Sequence, residues 1–197
     1  MRKFLAIAAL LFASATQAAI TTIDFEAIPD GGTVSNQYPG AVFSSSGTTV
    51  QVSAYSQASW GTAAPRIACP LGSNLGYCSA SLIVDFTSPL TALQFLFTGD
   101  NFAGIVGVAN YFNGATLLAS QDLLADGNAL SSHLESYANA SGITRLVVNV
   151  SSAEAALAGL GYDDFVLTTG NTVPEPATLA LMLTALGMVA WGAKRRT

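Results

Sequence analysis

From Ile20 to Thr168 the chain runs in short stretches where apolar and polar residues alternate, each closed by Gly, Asn, Ser, Asp or Pro. A period of two sends successive side chains to opposite faces of an extended strand and does not build the single apolar stripe of a packed helix. In 143–150, Leu146, Val148 and Val150 share one face, with Arg145, Val147 and Asn149 on the other. In 91–98, Leu93, Phe95 and Phe97 share a face. The pattern predicts strands over 20–26, 41–45, 48–55, 81–86, 91–98, 104–112, 116–124, 143–150 and 162–168. Asn113-Gly114, between Tyr111-Phe112 and Leu117-Leu118, predicts a two-residue hairpin turn, because both residues tolerate positive φ. One helical turn is predicted at 153–157. No βαβ alternation or internal repeat breaks the series. The expectation is an all-β, two-sheet antiparallel sandwich of jelly-roll type.

Charge divides the 197-residue chain differently. Five of its seven basic residues lie at the ends: Arg2, Lys3, Lys194, Arg195 and Arg196. Residues 19–172 keep only Arg66 and Arg145 against eleven of the twelve acids, a formal charge of −9. Such a body repels phosphate backbones, which excludes nucleic acid as a partner. Its ample Val, Ile, Leu and Phe argue for a packed core over disorder.

Both ends have the form of addressing segments. Arg2-Lys3, an apolar run from Phe4 to Ala13 and small residues to Ala19 make a secretory signal peptide over residues 1–18. Residues 177–193 carry no charge. As a transmembrane helix they would rise about 25 Å, and Lys194 can snorkel to complete the span. Lys194-Arg195-Arg196 then falls on the cytoplasmic side. Just ahead stands Val173-Pro174-Glu175-Pro176, whose two prolines exclude helix and sheet and hold the segment extended. Pro-Glu-Pro, a short apolar span and a terminal basic cluster, in that order, resemble the PEP-CTERM sorting signal of exported proteins of Gram-negative bacteria. That resemblance implies recognition by the membrane protease exosortase, processing near the motif, and a link to exopolysaccharide and biofilm. The expected domains are a signal peptide at 1–18, a β-sandwich ectodomain at 19–170 and the sorting signal at 171–197.

Export gives the two cysteines a meaning. Cys69 and Cys78 flank a turn-rich stretch, Pro70 to Tyr77, and in an oxidising compartment they predict a disulfide closing a surface loop. Catalytic signals are sparse, and no catalytic residue is assigned. The sole imidazole, His133, has no Gly-x-Ser-x-Gly elbow to serve, and reads as a loop or strand histidine.

The acids carry the sharper expectation. Asp24-Phe25-Glu26 falls on the first predicted strand, and Tyr162-Asp163-Asp164-Phe165-Val166-Leu167 on the last. First and last strands are commonly neighbours in a sandwich. Their carboxylates would then converge with Arg145 as the only nearby basic candidate. Converging carboxylates are costly unless protonated or bound to a cation, and oxygen ligands without His or Cys favour Ca²⁺. These two segments resemble calcium-containing jelly-roll carbohydrate-binding modules. That resemblance implies a structural Ca²⁺ held by Glu26 and Asp163, with Asp164 or Asp24 as further ligands. The stretch from Asp24 to Phe43 also resembles the opening of many PEP-CTERM ectodomains. A sugar site would need exposed aromatics with polar neighbours, and the candidates are Trp60, Tyr55 and Tyr77, with Asn74 and Gln57.

The expected function is that of an exported, membrane-tethered or exosortase-processed surface protein. Its sandwich binds, or helps to build, a matrix such as the cell's own polysaccharide. One rival is a glycan hydrolase or lyase; another is a purely structural scaffold.

Overall fold

The computed structural model describes residues 18–54, 66–72, 78–98, 103–128, 131–151 and 159–170. The predicted signal peptide, the helical turn at 153–157 and the sorting tail lie outside them, as do Tyr55, Trp60 and Tyr77. Among the described residues no helix is long and apolar enough to cross a membrane.

The fold is all-β. The strands are β1 (Ala19–Ile23), β2 (Thr33–Val34), β3 (Ala41–Ser45), β4 (Thr49–Ala54), β5 (Arg66–Leu71), β6 (Leu82–Thr98), β7 (Ala103–Asn113), β8 (Thr116–Asp126), β9 (His133–Val150) and β10 (Gly161–Thr169). Every pairing is antiparallel. The hydrogen-bonded order is β2-β4-β5-β10-β6-β9-β7-β8, with β1 on β10 and β3 on β6.

Two long strands make this single order into two layers. The first part of β6 pairs with β3 and with the last part of β9, as in Val84↔Phe43 and Val84↔Leu146. Its second part pairs with β10 and with the first part of β9, as in Leu93↔Leu167 and Leu93↔Tyr137. Register breaks between Asp85 and Leu90, and between Leu90 and Ala92, mark where β6 passes from one layer to the other. At the same corner Gly142 of β9 has φ +88°. A Cβ there would stand 2.7 Å from Cβ of Pro89. The sequence reading of 81–86 and 91–98 as separate strands is therefore corrected. Thr87-Ser88-Pro89 is the extended crossing of one strand, and it fills the gap in the ladder where proline's missing N–H costs no bond.

The faces between the layers form one core, with Phe25, Phe43, Phe95, Tyr111, Leu146, Tyr162 and Phe165 buried together. Phe43 of β3 and Phe165 of β10, from opposite layers, meet edge to face with ring centroids 5.3 Å apart. Tyr111 of β7 stacks on Tyr137 of β9 at 4.3 Å.

Three further details differ from the sequence reading. The two residues of the β7–β8 turn are Gly114-Ala115, with Gly114 at φ +57°, while Asn113 stays in the strand and donates from Nδ2 to the Ser141 carbonyl at 2.7 Å. Strand β5 went unread because its residues are nearly all buried and it contains Pro70, so no alternation shows. The early part of β9, His133 to Ser141, alternates by exposure, but its outward residues are small or apolar and its inward ones polar.

Candidate functional site

Strands β1 and β10 are neighbours, in register from Ala19↔Thr169 to Ile23↔Phe165. This brings the Asp24–Glu26 segment to the start of β10, where Asp163 and Asp164 lie. The backbone there is unusual at two points. Phe25 and Asp164 are the described non-glycine residues with positive φ, 51° and 47°. Phe25 gains from it a buried ring packed against Tyr38, Phe43 and Phe165. At Asp164 the bend coincides with a bulge, since the two residues of β10 between Asp163 and Val166 face the single residue of β6 between Leu96 and Gln94. Tyr162 and Asp163, in the regular ladder just before the bulge, are both fully buried.

Asp163 is thus a carboxyl inside an apolar sandwich. Its Oδ1 accepts a 2.8 Å bond from the Asp164 backbone N–H. Its Oδ2 is buried without a hydrogen-bond partner among the described residues, and so is the Tyr38 hydroxyl. Burial first, then the charges of Asp164, Glu26 and Asp24, push the Asp163 carboxyl up to about 7, against the pull of the Asp164 N–H bond. Asp164 is raised by burial and by Asp24 and Glu26. The Tyr38 phenol is raised by burial and by Asp24, Asp163 and Glu26. The four acids therefore stand close enough for their charges to act on one another.

The basic residue beside them is Arg66, not Arg145. Arg145 lies on the far part of β9, where its Nε meets Asp85 Oδ1 at 2.5 Å. The Arg66 backbone N–H donates to Glu26 Oε1 at 3.1 Å, and its guanidinium donates to the carbonyls of Glu26, at 3.0 Å, and Ile28. Its Nη1 is held on main-chain oxygens of the 24–28 loop. Among the described residues no three His, Cys, Asp or Glu side chains are grouped to hold a metal ion.

The disulfide Cys69–Cys78 is formed, with Cα atoms 4.7 Å apart. It borders a groove of about 450 Å³ lined by Asp30, Gly31, Gln51, Ser53 and Leu71. The pairings Ala54↔Arg66 and Thr49↔Leu71 put the segments carrying the candidate aromatics at opposite ends of the β4–β5 pair. Tyr55 and Trp60 follow from the first end and Tyr77 from the second; all three lie outside the described residues. His133, read as a loop or strand histidine, opens β9, with Nε2 3.5 Å from Asp126 Oδ1.

A polar seam between the layers escaped the sequence reading. Tyr111, fully buried, donates its hydroxyl to Glu135 Oε1 at 3.0 Å, and Asn139 Nδ2 donates to the Tyr137 hydroxyl at 2.9 Å. Burial raises the Glu135 carboxyl, opposed by the Tyr111 bond. The only sequence signal for this seam is the alternation Glu135, Tyr137, Asn139.

Residues 172–196 match the family described as PEP-CTERM protein-sorting motif. No curated protein matches the chain. Among solved structures, a family 29 carbohydrate-binding module, CBM29_1 from Piromyces equi, is similar at 10% identity and a TM-score of 0.42 over 79% of this chain and 93% of that one. The K2 cleaved adhesin domain of Lys-gingipain is similar at 12% identity and 0.42, over 77% and 99%. A carbohydrate-binding module, CBM6cm-2 from Cellvibrio mixtus lichenase 5A, solved in complex with cellotriose, follows at 12% and 0.37, over 77% and 97%.

Proposed function

We propose that this chain is an exported surface protein, sorted by exosortase, whose β-sandwich is a non-catalytic binding or matrix-forming module. The observation that carries the reading is the sorting motif at 172–196, which begins within a few residues of the last strand's end at Thr169. In this reading Val173-Pro174-Glu175-Pro176 is the segment presented to the protease, 177–193 the transient anchor, and Lys194-Arg195-Arg196 the basic stop. Intact-mass analysis of the protein from its native host is expected to show loss of residues 1–18 and of the apolar tail. Mature protein that retains Trp191 would overturn the exosortase part and leave a plain membrane anchor.

For the sandwich the partner class is polysaccharide. The support is a groove bordered by the disulfide, lined by Asp30, Gln51 and Ser53 beside Val52 and Leu71, with candidate aromatics Tyr55, Trp60 and Tyr77 on the segments that follow its strands. The reading includes a structural Ca²⁺ at the β1–β10 acids. Its support is the buried Oδ2 of Asp163, which has no hydrogen-bond partner among the described residues. With no three acidic side chains grouped there, Glu26 and Asp163 would need main-chain carbonyls and water to complete a shell. A glycan array probed with the exported protein, with and without Ca²⁺, tests both parts. A hydrolase or lyase would instead show turnover and a cleft with two carboxylates about 5–10 Å apart.

A further inference from the structure

We propose that two copies of this chain associate through the open edge of β9, residues 133–140 of one lying antiparallel to the same residues of the other. The first part of β9 pairs with β6 on one side only, from Phe97↔His133 to Ala92↔Ala138. On the other side β7 takes up β9 only from Arg145 to Val150. Among the described residues nothing pairs with the backbone of 133–138 on that side. An open row of N–H and C=O groups is a template for another strand unless the sequence guards it.

Three of the other described edges are guarded, while β1, which pairs with β10 alone and carries no charge over Ala19–Ile23, is a shorter open edge of five residues. Strand β8 presents Asp122 and Asp126 outward, and its ladder with β7 is broken twice by register shifts. The open side of β3 is partly covered, since the Phe43 N–H donates to the Ser35 carbonyl at 2.7 Å. Strand β2 is two residues long. Over 133–138 the β9 edge has no outward acid, is not short, and keeps an unbroken ladder with β6; the register shifts of β9 begin beyond Ala138. Residues 133–140 contain no Lys, Arg or Pro, and the one formal charge, Glu135, faces inward onto the Tyr111 hydroxyl.

The occupant follows from charge and register. A body of formal charge −9 disfavours contact between copies through its acidic surfaces, and this edge instead turns Leu134, Ser136, Ala138 and Ala140 outward. Leu134 is 64% exposed there. A two-fold axis at Tyr137 sets Leu134 opposite Ala140, Ser136 opposite Ala138, and Glu135 opposite Asn139. Every pair occurs twice, and no acid faces an acid. The edge is therefore complementary to itself.

Sedimentation velocity on the full chain, in detergent that keeps its apolar ends soluble, reads the association directly across a dilution series. The expected result is a reversible dimer. Ser136→Lys, on the exposed face, is expected to weaken it by about tenfold or more with an unchanged melting temperature. Leu124→Lys, on β8, is expected to leave it intact. Both native cysteines are in the disulfide, so an introduced thiol is the free one. A mixture of Ser136→Cys and Ala138→Cys copies should cross-link faster than either alone. A chain that stays monomeric throughout, a dimer insensitive to Ser136→Lys, or a mixture with no cross-linking advantage would each overturn the proposal.

Discussion

Arg66 holds Glu26 by its backbone: the Arg66 N–H donates to Glu26 Oε1, while the Arg66 side chain donates to the Glu26 carbonyl. The 24–28 loop is thereby pinned to the first residue of β5, and the Glu26 carboxylate is aimed without consuming the guanidinium. Arg66→Met removes the side-chain donor and leaves two half-buried carbonyls without it. The expected cost is about 1–3 kcal/mol, read as a lower denaturation midpoint. Arg66→Lys should recover only part of it, because an ammonium lacks the planar fork.

Asp163 predicts a pH dependence with a definite sign. Its folded carboxyl is pushed up to about 7, above the unfolded value near ~3.9. Between those values the folded state keeps a proton that the unfolded state has lost. Stability is therefore highest at acidic pH and falls as pH rises from about 4 to about 7, by at most about 4 kcal/mol. Thermal melts across this window in EDTA should show the fall, and Asp163→Asn should flatten it. A melting temperature independent of pH in EDTA would mean that the carboxyl is solvated in solution.

Calcium should reverse that behaviour. At 100-fold excess over its dissociation constant an ion bound only to the folded state contributes about 2.7 kcal/mol. For a domain of this size that is a rise of roughly 5–11 °C in melting temperature at neutral pH. Glu26→Gln and Asp163→Asn should remove most of the rise, and Trp60→Ala should leave it in place. An unchanged melting temperature with and without EDTA, together with no metal by elemental analysis, would reduce the four acids to a cluster without an ion.

Gly142 tests the corner. A side chain there meets the Pro89 ring and must adopt φ +88°. Gly142→Ala is expected to destabilise by about 1–3 kcal/mol. Gly114→Ala, at a positive φ but with open space around it, should cost less. Equal losses would show that backbone conformation alone sets the requirement.

What could be read from the residues depended on alternation. Leu93, Phe95 and Phe97, or Leu146 and Val148, face a core on one side only, and their period of two is plain. The all-β class and the antiparallel sandwich followed from such runs. The crossing at Thr87-Ser88-Pro89 was illegible, because three turn-forming residues in a row look the same in a loop and in a bent strand. Strand β5 was hidden by two-sided burial, and the early part of β9 by an inward row of polar residues. At the acid cluster the neighbouring strands were legible from their place at the two ends of the domain. The role of Arg66 was not, since it depends on which strand lies beside the loop, and β5 carried no strand signal.

The pairing of Ala19 with Thr169 has a mechanical consequence. The chain leaves β10 at Thr169, while the groove by the disulfide lies beside the strand's other end, where Tyr162 pairs with Ala68. A pull on the chain beyond Thr169, resisted at that groove, runs along the length of β10. Its hydrogen bonds to β1 on one side and β6 on the other lie across the force. They bear it together as shear, instead of opening one after another like a zip. A strand held on both flanks in this way resists tension at the point where the chain continues into its sorting tail.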